Sequence, residues 1–234
     1  MRAAEIVEQL KAMGDPEQAR ILQRFFKTGS GEYGEGDVFL GIRVPALRRH
    51  AKEIGALPLP ETVRLLGSPL HEARLLALLI WMQMYRTGDE AQRERIYALY
   101  AQNTRRINNW DLVDLSAMHI VGAHLWARDR SPLDAWAVSP LLWERRIAVL
   151  STFHFIRREA FDDTLRIAGR LLHDPEDLMH KAVGWMLREV GKRDRAVEEA
   201  FLREHARVMP RTMLRYAIER FPEEVRQRYL RGDV

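Results

Sequence analysis

The chain contains no cysteine, which removes disulfides, thiolate metal sites and a cysteine nucleophile from consideration. No apolar run reaches the ~18 residues that a membrane span requires, so no transmembrane segment is expected. The opening stretch MRAAEIVEQLKAM mixes acids among its apolar residues, unlike the continuous apolar core of a signal peptide, and a cytoplasmic location is expected. No segment alternates Val, Ile and Thr in the manner of a strand. The eight histidines include no HExxH or comparable ligand spacing, so neither metal nor cofactor is expected. Ser116 and Ser151 have no His and Asp partners at a convincing spacing. Residues 28–41, TGSGEYGEGDVFLG, hold five glycines but no phosphate-cradling lysine, and no strand precedes them, which excludes a nucleotide loop there.

What is present is helix. A hydrophobic share of 47% beside 30% charged residues describes a folded chain. Helix starts are marked by a capping residue followed by proline in DPEQ at 15, SPLHEA at 68, SPLDA at 131 and DPEDL at 174. Ends are marked by MGD, IGA, TGD and VGKRD. Four segments, LHEARLLALLIW, INNWDLVDLSAM, LWERRIAVLSTF and MHKAVGWMLREV, place His71, Ile107, Trp143 and Met179 at a spacing of 36 residues. A period of that length with about two helices per unit signals an α-solenoid. We therefore expect one all-α domain over residues 1–234, a curved array of HEAT-like repeats whose equivalent helices line a concave wall.

Charge gives the wall a sign. Lys and Arg number 37 against 33 acids, a net +4, and the basic residues cluster at 48–52, 104–107, 144–147 and 156–159. Any one cluster reads first as a solvated helix face, but arginine in groups suits bidentate phosphate contacts. In the second repeat Trp110 and Asp114 stand four apart and share a helical face. The equivalent positions to Asp114 in the 36-residue register are Leu78, Leu150 and Met186, so an acid replaces packing residues there. Arg146 occupies the place of Trp110 one repeat on, and also reads as a tie to Asp114. Trp185 lies on the repeat after that. Trp81, Trp126, Trp136 and Trp143 read as packing residues.

At these residues the sequence resembles the AlkD-type DNA alkylation repair glycosylases. FLGIRVPALRRHAKEI, NNWDLVD, WERRIAVL and HKAVGWMLREVGK follow that family's order from about residue 20 to 220. The resemblance implies a HEAT-like solenoid that binds duplex DNA in a basic groove and releases N3- and N7-alkylated purines. It implies Asp114 as the catalytic carboxylate, Trp110 and Trp185 as the base-site indoles, and Arg146 as a backbone contact. Phe25 stands where the best-known member has a tyrosine, and so lacks a hydroxyl hydrogen bond. Arg43, Arg48, Arg49, Arg105, Arg106 and Lys181 are the further candidate DNA contacts. A monofunctional enzyme is expected, since the motif offers no lysine as a Schiff-base nucleophile. It would be a monomer with no cofactor, located in the cytoplasm and associated with the nucleoid. Some relatives bind branched DNA without excising bases, and a HEAT-like binder of distorted DNA is the alternative. A protein-binding solenoid is a third reading, disfavoured by the arginine clusters.

Overall fold

The computed structural model describes residues 1–233, and they are all-α: helices joined by turns and by one long irregular stretch between Phe25 and Val44, with no strand among them. The one extended pairing is an isolated parallel bridge between Val38 and Leu70. No helix is long and apolar enough to cross a membrane, and no cluster of three or more metal-type side chains forms among the described residues. Two compact units divide the chain, one over Met1–Ser116 and one from Ala117 onward.

In the first unit the core element is the helix His71–Thr87, buried from His71 through Trp81 without interruption. It is covered by Val44–Ile54 and Leu59–Leu66 on one side and by Glu90–Gln102 on the other. Trp81 is fully buried, and its indole N–H donates to Thr62 Oγ1 at 2.6 Å. The expected packing role of Trp81 holds, as it does for Trp143, which is 5% exposed. In the second unit Asp177–Gly191 takes the central place, packed on Leu142–Ser151, Arg195–His205 and Arg211–Ala217. Gly184 is required at the last of these contacts, because a Cβ there would stand 2.4 Å from the Met213 carbonyl oxygen.

Asp15 caps its helix as the sequence predicts, and Asp194, expected only in a helix end, caps the helix that follows; each carboxylate accepts two backbone N–H groups. After Ser68 and Asp174 the helix begins two residues later than expected, at His71 and Asp177. The would-be cap instead closes the turn before it: Ser68 Oγ accepts from Leu70 N–H, and Asp174 Oδ1 from Glu176 N–H. The same turn occurs at Ser139, whose Oγ accepts from Leu141 N–H. In all three the main-chain carbonyl of the turn residue is bound by the side chain six positions on: Arg74, Arg145 and His180. These turns mark the repeat more sharply than hydropathy does, and they correct its register. Ser68, Ser139 and Asp174 stand 71 and 35 residues apart, so the partner of Arg74 is Arg145, not Arg146.

Candidate functional site

The helix Trp110–Ala117 begins with Trp110 at its first residue and carries Asp114 one turn later. Both are half-buried, whereas Leu78, Leu150 and Met186 are at most 2% exposed. The acid thus stands at a position less enclosed than those to which it was compared, which removes most of the desolvation cost of a charge. The indole of Trp110 stacks on Phe26 with ring centres 4.9 Å apart and planes 7° apart. Phe25 meets it edge-on at 6.0 Å while remaining 62% exposed. Arg20, Ile21, Arg24 and Phe25 line an open groove of about 410 Å³ on the helix Pro16–Phe25. An exposed aromatic edge, a stacked indole and a carboxylate therefore share one part of the first unit.

Beneath Trp110 the stack continues inward, Phe26 on Phe39 at 4.8 Å and Phe39 on the His71 ring at 4.3 Å. It ends on a charge cluster that sequence reasoning missed. His71 Nδ1 is 2.9 Å from Asp37 Oδ2 and Nε2 is 2.8 Å from Asp111 Oδ2. Asp37 also accepts from the Arg74 guanidinium and from the Asn109 amide. Burial pushes the His71 pKa down, but the hydrogen bonds and charges of the two carboxylates override it and raise it to about 9. Burial pushes Asp37 the other way, and His71, Arg74 and Asn109 hold it below its ordinary value. Two acids thus face two cations in a balanced buried set. Because Asp111 follows Trp110 and Asn109 precedes it, this set anchors the first turn of the helix that carries Asp114. The signal was present as three polar residues, His71, Glu72 and Arg74, heading an otherwise apolar helix.

The glycine-rich stretch 28–41 is irregular, as expected, but tied down. Glu72 accepts from the backbone N–H of Leu40, Gly41 and Ile42, and Gln23 holds the Asp37 carbonyl and the Phe39 N–H. Gly41 is at φ +86 with the Asp15 carbonyl 2.1 Å from where a Cβ would be, so no other residue fits there.

Of the candidate DNA contacts in the first unit, Arg43, Arg48, Arg49, Arg105 and Arg106 are exposed and make no ion pair among the described residues. In the second unit Arg146 is 5% exposed, and its guanidinium donates to the Leu178 carbonyl at 2.6 Å. Lys181 is paired with Asp177 at 2.7 Å. Trp185 is half-buried, tilted against Phe153 at 5.9 Å, with its N–H donating to Glu189 at 3.2 Å.

A helical repeat protein whose first unit carries an aromatic and carboxylate surface and also unpaired arginines is of a class that includes nucleic-acid enzymes. The family model described as DNA alkylation repair enzyme matches residues 6–221. The chain belongs to that family. A solved structure described as a predicted DNA alkylation repair enzyme from Enterococcus faecalis is similar over 90% of this chain and 97% of that one, with a TM-score of 0.68 at 18% identity. At that identity the likeness establishes the shared fold. None of the curated proteins compared with the chain matches it.

Proposed function

We propose that the chain is a monofunctional DNA glycosylase that releases N3- and N7-alkylpurines from duplex DNA. The observation that carries this reading is the helix Trp110–Ala117, which presents a stacked indole and, one turn on, a half-buried carboxylate. An N3- or N7-alkylpurine bears a formal positive charge and leaves without a general acid. When its bond to C1′ breaks, the electron pair neutralises the purine and positive charge moves to the sugar. Asp114 offers that sugar cation a fixed negative charge and an acceptor for the attacking water, whose oxygen bonds to C1′ as a proton is lost. Aromatic faces favour cationic bases by ~0.5–2 kcal/mol each, a contribution open to Trp110, to Phe25 and, in the second unit, to Trp185. Phe25 supplies a ring without a hydroxyl, so any help it gives is through the ring alone. The free arginines of the first unit, with Arg146 and Lys181 of the second, are assigned to the DNA backbone. We assign the whole of residues 1–234 to one repeat domain with a concave basic groove, acting as a monomer in the cytoplasm on nucleoid DNA.

The test is release of 7-methylguanine from a methylated duplex in single turnover, beside a duplex-binding titration. Asp114→Asn keeps the size and removes the charge; loss of one such preorganised contact costs ~2.7–4 kcal/mol, or ~10²–10³ in rate. Unchanged melting and DNA affinity with release slowed by that factor is the expected result. Wild-type release by the Asn variant would make Asp114 a structural acid. Tight binding by the parent chain without any release would favour the binder of distorted DNA instead.

A further inference from the structure

The run IRRE at 156–159 plays no part in the site above, yet its surroundings are unusual. The short helix Phe153–Ile156 ends at Arg157, and Glu159 turns the chain at φ +59, leaving Arg157 and Arg158 exposed at the bend. Every other arginine between residues 130 and 195 is held: Arg130, Arg145, Arg166, Arg170, Arg188, Arg193 and Arg195 by carboxylates, Arg146 by the Leu178 carbonyl. Arg157 and Arg158 form no ion pair, not even with adjacent Glu159, among the described residues.

Arg158 is nevertheless fixed in place. Its Nη1 donates to the His154 carbonyl at 3.0 Å, and its guanidinium lies 5.3 Å from the Trp126 ring. Arg130 lies 5.2 Å from the same ring and 4.4 Å from Phe155, and is neutralised by Asp163. Trp126 is therefore no simple packing residue: it seats two guanidiniums, one of them with its charge unanswered. Half-buried His154 registers the resulting field. Burial first, then the positive charges of Arg158, His119 and Arg157, lower its pKa to about 4. A planar cation held over an indole and bonded to a carbonyl has given up part of its rotamer freedom before any ligand arrives, which favours a bidentate anion over a water shell.

We propose that Arg158, seated on Trp126, and the adjacent Arg157 form a phosphate-binding bend that grips the sugar–phosphate backbone of duplex DNA regardless of damage. This rests on the reading of the chain as an enzyme of duplex DNA. Phosphate contacts carry no base information, so the bend serves damaged and intact duplex alike.

The experiment compares the parent chain, Arg157→Ala/Arg158→Ala and Arg157→Lys/Arg158→Lys in anisotropy titrations over a range of salt. Each is titrated with one duplex bearing 7-methylguanine and with the same duplex unmodified. The alanine pair is expected to weaken both duplexes by the same factor, roughly ten-fold at low salt. It should also reduce the salt slope by about 2, one unit per lost phosphate contact. The lysine pair, which keeps charge but not stacking, should restore the slope and only part of the affinity. Parent-like affinity and slope in the alanine pair would overturn the proposal, as would a slope that the lysine pair fails to restore. A parent chain that binds no duplex at low salt would instead sink the glycosylase reading itself.

Discussion

In Met1–Ser116, Arg43, Arg48, Arg49, Arg105 and Arg106 stand exposed and unpaired, Arg2, Lys11 and Arg64 pair with neighbouring acids at the surface, and His71 and Arg74 pair with Asp37 and Asp111 at the centre of the unit. From Ala117 onward the balance differs. Arg145, Arg166, Arg188 and Arg195 are tied to acids, while Glu198 sits 2% exposed with Oε1 lacking any hydrogen-bond partner. Burial raises Glu198 to about 8. The first unit settles its buried charges with one another; the second ties more of its arginines to acids, keeps Arg157 and Arg158 free, and leaves one buried carboxylate unsatisfied. An available guanidinium can exchange a counterion for a phosphate directly. A paired one must first give up its acid.

The comparison breaks most readily at His71. Replacing it with alanine leaves Asp37 and Asp111 without their shared donor, a loss that for a buried pair costs ~3–5 kcal/mol. A drop of that size in denaturant stability is expected, and a drop below ~1 kcal/mol would mean the cluster contributes little. The pH dependence has a defined sign. The folded pKa of about 9 lies above the ordinary 6.5, so the stabilisation is complete below pH 6.5 and is lost as pH rises through about 9. Only the parent chain should show that loss.

The second unit is probed at Glu198. Its folded pKa also lies above the ordinary 4.5, so stability declines as pH rises from about 4.5 through about 8. Glu198→Gln should remove the decline and stabilise the protein above pH 8, by ~1–3 kcal/mol if the lost penalty is that of one buried unsatisfied group. Destabilisation at that pH would show the carboxylate to be needed. Melting curves across pH therefore separate the units by window as well as by sign of the mutational effect.

The smallest effects concern the surface cations. Neutralising Arg48, Arg49, Arg105 and Arg106 together should lower the salt slope of duplex binding by about 4 without altering melting, one unit per contact. Neutralising Arg166 and Arg195, which face Asp134, Asp163 and Glu199, should leave the slope nearly unchanged and cost ~0–1 kcal/mol of stability. Equal slopes for the two sets would erase the distinction between free and tied arginines.

Local signals were read well and long-range ones were not. The cap at Asp15 depends on two or three neighbouring residues and lies where the sequence puts it, whereas Asp194 was read only as part of a helix end. The all-α class followed from the same short-range patterns. The late starts at His71 and Asp177 have a different origin: Ser68 and Asp174 close a turn whose carbonyl a distant side chain holds, and no propensity reports that. The one-residue slip between Arg146 and Arg145 comes from aligning Glu72 with Glu144 by identity, when Glu72 binds a loop and Glu144 binds Ser139. Asp111 stood in plain view between Trp110 and Asp114. Its role depends on His71, forty residues away in sequence, and a burial that only tertiary contact creates.

Glu72 has a further bearing, on the order in which the chain takes shape. Its carboxylate gathers three consecutive backbone amides from residues 30 to 32 positions upstream, so those three amides lack their acceptor until the long helix has formed, although Gln23 and Asp15 hold the flanking backbone from nearer in sequence. Closing such a span carries a loop entropy that nearby contacts do not. The glycines, flexible while unfolded, would then be among the last backbone to settle. Once settled, the amides of Leu40, Gly41 and Ile42 should exchange their hydrogens as slowly as those of a helix interior, although no helix contains them.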